Sequence, residues 1–419
     1  MDVFGFENNR EYTVSWWPKI SDHIQALSTI WNTSRAFGAF TVPFNPRTDK
    51  PTTIELLSST VLTAIRLYMI YVVFTTDSWD LMFTSSSQYV EKGMDILLKI
   101  PIVLVVIFPW IFLLRKVQFI QISYDIGVFD KQMLKYNHPL NYQFFHIFAT
   151  LFTIVNVVVP LIILVAMRGV RFWMEHFIVL TFIGSSWSSG LMFNTVFNIL
   201  LYHILYRVQV INDLLRYAKC QFSKMTSRGN TTANKKFPFL FFRKLLYQDR
   251  FQLDTANTLA LIKTIMRLHD KLGDIANNCS RCFAITTVLT MIHVLVSQIL
   301  TTFALIRVVF YHYDAIELKD CILYIIGTTT YCWMPICTIW MAGDIKKRTI
   351  VTWKLIHRFI NTTDDIEVED LLQQFSEQMN HRSPSIDFRF FDVDWPLLVK
   401  ACSEAATYLI IMIQFDVKK

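Results

Sequence analysis

The sequence has little charge, little glycine and no pattern of paired cysteines, and each scarcity argues against a class of protein. Only 17% of the 419 residues are charged and only 11 are Gly, whereas 53% are hydrophobic and 15% are aromatic. An ordinary soluble chain of this length carries more charge, so the composition indicates a polytopic membrane protein. The seven Cys are odd in number and lie mostly in or beside apolar segments, which favours buried thiols and predicts no disulfide.

Motifs of the common enzyme classes are also missing. There is no His-Glu-x-x-His and no Gly-rich phosphate loop, so we expect neither an enzyme nor a cofactor. Cys279-x-x-Cys282 is present, but structural zinc needs four ligands and both Cys fit an apolar helix seam, so no metal site is predicted. The first 32 residues mix acidic, basic and aromatic side chains, and we therefore expect no cleaved signal peptide.

Seven stretches are long and apolar enough to cross, as helices, the roughly 30 Å hydrocarbon core of a bilayer. They lie near 56–76, 94–114, 145–167, 176–205, 283–306, 321–342 and 395–415. Pro101, Pro109 and Pro335 fall inside the second and sixth stretches, where we expect kinks that neighbouring helices stabilise. The sequence therefore predicts an all-α membrane protein with seven transmembrane helices.

Basic residues alternate between the connecting segments, and this alternation sets the predicted orientation. With the N-terminus in the cytosol, 30 Lys and Arg lie on the cytosolic side and 7 on the outer side. Without the long segment between spans four and five, where the rule is less strict, the cytosolic side still has 16. A cytosolic N-terminus and an extracellular C-terminus follow. The formal charge of +7 is attributed to this topology, so no nucleic-acid partner is expected.

This topology divides the chain into six parts. A cytosolic N-terminal segment (1–55) precedes transmembrane helices one to four (56–205), and a cytosolic helical loop (206–282) leads to helices five and six (283–342). A second cytosolic helical loop (343–394) precedes helix seven, which lines the pore in the interpretation below, and a short outer tail (395–419). The boundaries leave two sizeable cytosolic segments between the spans.

The cytosolic segments carry apolar residues at helical spacing. One stripe runs from Leu200 to Ala218 and another from Leu261 to Cys282, and both indicate helices that continue beyond the membrane. Thr363 and Asp364 are expected to cap a further helix with an apolar face. Because such stripes must be buried on each other or on another subunit, we expect the extensions to form an assembly domain; packing within one subunit is the alternative.

The last span ends in a distinctive run of residues. Thr407-Tyr408 is followed by five apolar residues and then by Gln414-Phe415. With this motif the chain resembles the insect gustatory receptor family, and the predicted topology agrees with that family over the whole length. Likeness at the level of motifs covers about the last third of the chain. Upstream similarities are Leu268-His269-x-x-Leu272, Phe375-x-x-Gln378 and the approach from Phe390 to Trp395.

The resemblance implies a function and an assembly. It implies a tetrameric, ligand-gated, non-selective cation channel in the plasma membrane of chemosensory neurons, with span seven of each subunit lining the pore. Its partners would be a small-molecule tastant, permeating cations, membrane lipids and the other subunits of a homotetramer or heterotetramer. Leu409 stands where the main sugar branch usually has Glu, which favours the fructose-type or bitter-type branch. We therefore expect a bitter plant secondary metabolite as ligand, with fructose as the alternative.

Span seven fits a pore-lining helix by its own spacing. Its polar stripe comprises Lys400, Glu404, Thr407, Ile411 and Gln414. Steps of four and three place these residues on one face, and polar groups at membrane depth avoid lipid. By the resemblance, Phe415 would close the outer constriction with Gln414 beside it, while Glu404 would favour cations and Lys400 could pair with Glu404. The alternative is that the stripe packs against its own bundle.

Polar and aromatic residues gather in the predicted outer halves of the other spans. This mixture suits a small organic ligand, because rings supply contact area and hydroxyls or amides supply orientation. For any single residue the alternatives are a helix contact and the aromatic belt at the membrane interface. Arg66, at mid-depth in span one, is either a functional charge or a side chain that reaches inward. The candidate ligand-binding residues are Tyr71, Ser186, Trp187, Gln298, Thr302, Tyr324, Thr328 and Tyr331.

Two other membrane-protein functions stay open at this point. A secondary transporter would show paired repeats with broken helices at matching positions, and the seven unequal spans show no such repeat. A G-protein-coupled chemoreceptor would run in the opposite orientation, with Asp-Arg-Tyr after span three and Asn-Pro-x-x-Tyr in span seven, and neither motif occurs. A channel is the favoured interpretation.

Overall fold

Long helices make up almost all of the structure, a computed structural model that describes residues 17–40, 52–75, 88–136, 141–227, 255–310, 315–388 and 392–417. Outside the helices, one isolated bridge joins Asp387 to Asp392. The described helices are α1 (His23–Ala36), α2 (Thr53–Thr75), α3 (Gln88–Leu114), α4 (Lys116–Lys135), α5 (Tyr142–Glu175), α6 (Phe177–Ser227), α7 (Thr255–Phe310), α8 (Ala315–Ile360), α9 (Ile366–His381) and α10 (Trp395–Val417).

Seven of these helices contain a stretch that can span a membrane, and they match the seven predicted ones. The structure therefore confirms an all-α protein with seven membrane helices. α3 continues through Pro101 and Pro109, and α8 continues through Pro335. The candidate spans of the described residues are Thr53–Thr75, Asp95–Leu114, Tyr142–Ile163, Leu180–Phe222, Thr258–Phe310, Cys321–Ile360 and Trp395–Phe415.

Two helices, α1 and α4, were missed by the sequence analysis. The signal for α4 was present, because five of its apolar residues recur at steps of three and four, and these five are buried. α1 begins after Asp22, whose carboxylate caps the helix by accepting from the backbone N–H of Gln25. Trp31 of α1 stacks on Phe40 with ring centroids 4.4 Å apart, which holds the chain after α1 against the bundle. The apolar face of α4 comprises Phe119, Ile122, Ile126, Phe129 and Met133.

Three membrane helices continue far beyond the bilayer, as the sequence predicted. α6 has 51 residues, α7 has 56 and α8 has 46, whereas about 20 are enough to cross a bilayer. The stripes from Leu200 to Ala218 and from Leu261 to Cys282 are buried in one apolar cluster shared by these helices. The stripes are thus covered within one chain, so packing inside the subunit accounts for their spacing without a second subunit.

The cap of α9 lies one residue later than predicted. Asp365, rather than Thr363 or Asp364, is the N-cap, and its carboxylate accepts hydrogen bonds from the backbone N–H groups of Glu367 and Val368. Asp365 is the residue with extended backbone just before the helix, which is the geometry that side-chain capping requires. The predicted apolar face of α9 is buried against α7 and α8.

Two Asn–Thr pairs set the register between α6 and α8. The Asn198 amide donates to the carbonyl of Met334 (3.2 Å) and accepts from the Thr338 hydroxyl (2.6 Å). Fourteen residues further along both helices, Asn212 donates to the carbonyl of Arg348 (3.0 Å) and accepts from Thr352 (2.7 Å). Because both amides are buried, sliding one helix past the other would leave them unpaired, at about 1–3 kcal/mol per group.

A buried ion pair joins α4 to α6. Arg207 donates from Nε and Nη2 to the two carboxylate oxygens of Asp130, at 3.0 and 2.7 Å, and Tyr142 donates to the same carboxylate at 2.7 Å. The Arg207 and Asp130 side chains are only 1% and 6% exposed. Arg207 also donates to the carbonyl of His203, so its remaining hydrogen-bond capacity is used within its own helix. A pair this well satisfied is costly to break from one side only.

Replacing Arg207 with Met should destabilise the protein by about 3–5 kcal/mol, because the Asp130 carboxylate would stay buried without its cation. The double variant Arg207→Met with Asp130→Leu should regain most of that loss. Thermal unfolding of the detergent-solubilised protein measures both. Arg216→Met is the matched control, since Arg216 lies on the same helix and its pair with Asp213 is largely exposed, worth about 0–1 kcal/mol. Equal unfolding temperatures for the Arg207 and Arg216 variants would contradict the assignment.

Candidate functional site

A cavity lies between five helices in the membrane-spanning part of the bundle. The cavity has a volume of about 30 Å³, which is room for about two water molecules. Because the wall comes from α3, α5, α6, α7 and α8, any larger occupant must move these helices or their side chains. The lining residues are Leu97, Ile163, Trp187, His293, Val294, Ser297, Leu323, Gly327, Thr328 and Tyr331.

The wall is mostly apolar, and none of the described lining residues is an acid, a Lys or an Arg. The rings of Trp187 and Tyr331 meet edge to face, with centroids 5.7 Å apart. Ser297 donates to the carbonyl of His293 (2.8 Å), and Thr328 donates to a carbonyl of its own helix (3.1 Å). The Tyr331 hydroxyl and the His293 Nδ1, by contrast, are buried without a hydrogen-bond partner among the described residues. Such groups are uncommon, and they mark where a bound polar group would fit.

Three of the eight candidate ligand-binding residues, Trp187, Thr328 and Tyr331, line this cavity together. Tyr71 lies exposed on the surface of α2. The side chain of Tyr324 falls outside the described residues. The sequence thus located the cavity on α6 and α8, and the ligand-binding role of all eight residues stays a prediction.

The remaining candidates lie on the same helices but off the wall. Ser186 is buried and donates to the carbonyl of Phe182 (2.9 Å). Gln298 accepts from the thiol of Cys332 (3.4 Å), and Thr302 is half-buried. Hydroxyls and amides engaged in this way stabilise helices and contacts between them.

Most of the wall was not predicted, because apolar lining residues look like any other core residue in a sequence. Leu97, Val294 and Leu323 are of this kind. Gly327 gave a weak signal: an added Cβ would lie 3.6 Å from Cγ2 of Ile163, so the missing side chain helps keep this part of the cavity open. His293 was visible as a polar residue in span five, but only its unpartnered Nδ1 distinguishes it from a core histidine.

One apolar cluster connects the cavity to α10. Leu97 and Ile163 of the cavity wall belong to its buried core, and the wall residues Trp187 and Leu323 pack against that core. From α10, three residues pack against the same cluster. A change in the shape of the cavity would therefore alter the packing of the residues that hold α10. The α10 residues are Leu409, Met412 and Ile413.

The other face of α10 carries the predicted polar stripe, and the described chain does not cover it. Lys400, Glu404, Thr407, Ile411 and Gln414 are all exposed. Phe415, at the end of the stripe, is 73% exposed. The alternative that this stripe packs against its own bundle is therefore wrong for the described chain.

Within the stripe, the polar groups have few partners. Thr407 donates to the carbonyl of Ser403 (3.0 Å), a bond within its own helix turn. Lys400 and Glu404, both described, do not form the ion pair that the sequence suggested. Two exposed, unpaired charges at membrane depth need water or another subunit beside them.

Arg66 is buried, at 3% exposure, and reaches inward to backbone carbonyls. Its guanidinium donates to the carbonyls of Val105, Phe37 (3.3 Å) and Gly38 (2.6 Å). Val105 lacks its usual helical donor, because Pro109 has no N–H to give it. Arg66 therefore replaces the donor that Pro109 cannot give to α3. It also binds the segment after α1 through the carbonyls of Phe37 and Gly38.

Gly38 is required at this point for two reasons. Its φ of +70° lies in the left-handed region, and a Cβ would approach Cδ1 of Leu62 to 2.8 Å and Nη2 of Arg66 to 2.9 Å. Ser189 of α6 donates to the carbonyl of Phe37 (2.5 Å). Side chains of α2 and α6 thus converge on two residues of the N-terminal segment.

Comparison with known proteins agrees with this architecture. The family model for the 7tm chemosensory receptor matches residues 27–419. Among solved structures, the insect olfactory receptor OR5 from Machilis hrabei is similar, with a TM-score of 0.60, 9% sequence identity, and coverage of 93% of this chain and 97% of that chain. At this identity the similarity shows the fold alone. No curated protein matches the sequence.

Replacing Arg66 with Met should lower the free energy of unfolding by about 2–3 kcal/mol, since a charged donor to buried carbonyls is lost. The free energy of unfolding of Arg66→Lys should lie between those of the wild type and Arg66→Met. A compact ammonium cannot reproduce the planar arrangement of donors on a guanidinium. The measurement is thermal unfolding of the purified protein in detergent. Arg171→Met serves as control, because the Arg171 side chain is 93% exposed. If the Arg66→Met protein unfolds at the temperature of the control, the carbonyl network does not have the role described.

Proposed function

The chain belongs to the 7tm chemosensory receptor family, and we propose that it acts there as a gustatory-type receptor. It is a ligand-gated, non-selective cation channel in the plasma membrane of chemosensory neurons. A small-molecule tastant opens it from the cavity between α3, α5, α6, α7 and α8. The N-terminus faces the cytosol, in agreement with the distribution of basic residues between the spans.

The shared apolar cluster is the observation that carries this proposal. Leu97 and Ile163 line the cavity and belong to the same buried cluster against which Met412 and Ile413 of α10 pack. A ligand that fills the cavity displaces side chains that also support α10. Because packed interiors switch between arrangements rather than deforming smoothly, this contact can convert ligand binding into movement of one helix.

Assembly explains the exposed face of α10. None of the apolar stretch of α10 is buried inside the chain, whereas 89% of that of α6 is buried. A stripe with Lys400, Glu404 and Gln414 is expensive against lipid, so it requires a partner surface or water. In a tetramer, as the family resemblance implies, four copies of this face surround one aqueous path. Exposed parts of the cytosolic extensions supply further contacts between subunits.

Within that path, the residues take different roles. Phe415 forms the outer constriction and blocks ions by excluding water, with Gln414 next to it as a polar element for passing ions. Glu404 favours cations. Thr407, whose hydroxyl donates to its own helix, presents its acceptor lone pairs to the path.

The cavity wall favours a plant secondary metabolite over fructose. Its described lining is mostly apolar, and among its side chains two buried polar atoms, on Tyr331 and His293, have no partner. Fructose carries several hydroxyls, and each one buried without a partner costs about 1–3 kcal/mol. A ligand with one or two polar groups on a flat apolar body fits this wall better.

Recordings from cells that express this chain alone test the proposal. We expect a cation current in response to at least one compound of a panel of plant phenolics, terpenoids and glucosides, with fructose in the same panel. The current should not depend on a coupling-ion gradient, as a transporter current would. A second messenger response that survives block of all current would favour a G-protein-coupled receptor instead. Absence of current for every compound, both alone and with a related subunit, would contradict the channel.

Replacing Phe415 with Ala should produce a leak current without ligand, because the apolar constriction would widen and admit water. The measurement is the ratio of basal to ligand-evoked current in single cells. Ile410→Ala is the matched control, since Ile410 is also exposed on α10 but lies beside the stripe. A Phe415→Ala channel that is silent at rest and responds normally would show that the gate lies elsewhere.

A further inference from the structure

Two polar side-chain groups of the cavity wall have no hydrogen-bond partner among the described residues. Tyr331 of α8 and His293 of α7 both line the cavity, and the two groups are the buried Tyr331 hydroxyl and the buried His293 Nδ1. The other hydroxyls of the wall, on Ser297 and Thr328, already donate to carbonyls of their own helices. Two side-chain groups are thus left for an occupant, and neither is charged when His293 is neutral.

Two cavity-lining residues have backbone carbonyls that lose their usual helical hydrogen-bond donor because of a proline. In a regular helix the N–H of residue 335 would donate to the carbonyl of Tyr331, and that of residue 101 to the carbonyl of Leu97. Pro335 and Pro101 have no N–H. Both residues that lose a donor line the cavity. Both carbonyls therefore keep acceptor capacity that their own helices leave unused, which suits a group that donates as well as accepts.

The wall also excludes charged ligands. A buried ammonium needs a carboxylate, because an unpaired charge in an apolar site is far more costly than an unpaired hydroxyl. The described lining contains no Asp or Glu. Asp95 on α3 is near Leu97 in sequence, but it is paired with Lys99 at 2.6 Å and does not line the cavity.

From these observations we propose that the ligand class of this cavity is a small neutral alcohol on an apolar, preferably aromatic, body: a phenol or a monoterpenoid alcohol. Its hydroxyl bonds with the Tyr331 hydroxyl and the His293 Nδ1, and its apolar body lies against Trp187 and the aliphatic side chains. This inference rests on the proposed function, since it assumes that the cavity is the ligand site. The small volume further selects compact molecules that the wall can accommodate by limited rearrangement.

Three probes that differ in one ring substituent test the ligand class: 4-propylphenol carries a hydroxyl, 4-propylanisole a methoxy group and propylbenzene a hydrogen at that position. Their binding to the purified full-length protein is measured by titration in lipid nanodiscs, so no current is required. 4-Propylphenol should bind about tenfold or more tightly than propylbenzene, with 4-propylanisole between, because one net hydrogen bond is worth about tenfold in affinity. Fructose and 3-phenylpropylammonium should show no saturable binding.

Variants assign the selectivity to named atoms. Tyr331→Phe removes an unpartnered hydroxyl, so the protein should keep its unfolding temperature while the phenol-to-propylbenzene ratio falls to about one- to threefold. His293→Phe is an independent second variant that should lower the same ratio. Thr330→Val is the matched control, because Thr330 lies on the same helix, its hydroxyl is bonded to the carbonyl of Ile326, and it does not line the cavity. The control should keep the wild-type ratio.

The outcomes separate this inference from the channel proposal. Equal binding of 4-propylphenol and propylbenzene, or an equal loss of selectivity in Thr330→Val and Tyr331→Phe, overturns the assignment of ligand class. Saturable binding of fructose or of the ammonium probe also overturns it. Selective binding of 4-propylphenol that depends on Tyr331, with no current in cells, would support the ligand class while contradicting the proposed channel function.

Discussion

A polar group buried inside a helix bundle has no water to bond with, and this single constraint organises both the membrane-spanning helices and their cytosolic extensions. Each such group must find a partner within the protein or cost several kcal/mol. The amides of Asn198 and Asn212 find theirs across the contact between α6 and α8, and Arg207 finds the Asp130 carboxylate. Arg66 shows the same rule acting on the backbone, because it donates to the Val105 carbonyl that Pro109 leaves without a helical donor. These bonds add modest net stability, but they exclude other registers of the helices.

The same constraint separates structural polar residues from functional ones. Where the partner lies in the same chain, as for Ser189 or Thr338, the residue is explained by the fold. Among the polar groups without a partner in the described chain, those at two places matter for the proposed function. One is the cavity, where the atoms of Tyr331 and His293 have no described partner, and the other is the exposed face of α10. Both are incomplete in an isolated chain, and a ligand and neighbouring subunits are the natural completions.

Much of the fold could be predicted from the sequence, because hydrophobic length and helical spacing are local signals. Seven spans and the continuation of α6, α7 and α8 follow from them. α1 and α4 were missed because they are amphipathic helices without a long apolar stretch, and a long apolar stretch is the signal that identifies membrane spans. The site was predicted less completely. Trp187, Thr328 and Tyr331 stand out as polar or aromatic residues at depth, whereas Leu97 and Ile163 are indistinguishable from core residues until their neighbours are known. Whether a hydroxyl is satisfied also depends on tertiary structure, so Ser186 and Gln298 looked as suitable as Tyr331.

The placement of the cavity decides what a ligand can do. A ligand shifts an equilibrium only by its difference in affinity for the two states, so it must bind a wall that changes when the channel opens. In the proposed channel the wall meets that condition, because it is formed by five helices and shares a cluster with Met412 and Ile413 of α10. The register bonds at Asn198 and Asn212 hold α6 and α8 together along their length, so we expect these two helices to move as one unit. We therefore expect expansion of the cavity to displace its less firmly held neighbours, among them α10, because the apolar stretch of α10 is not buried within the chain.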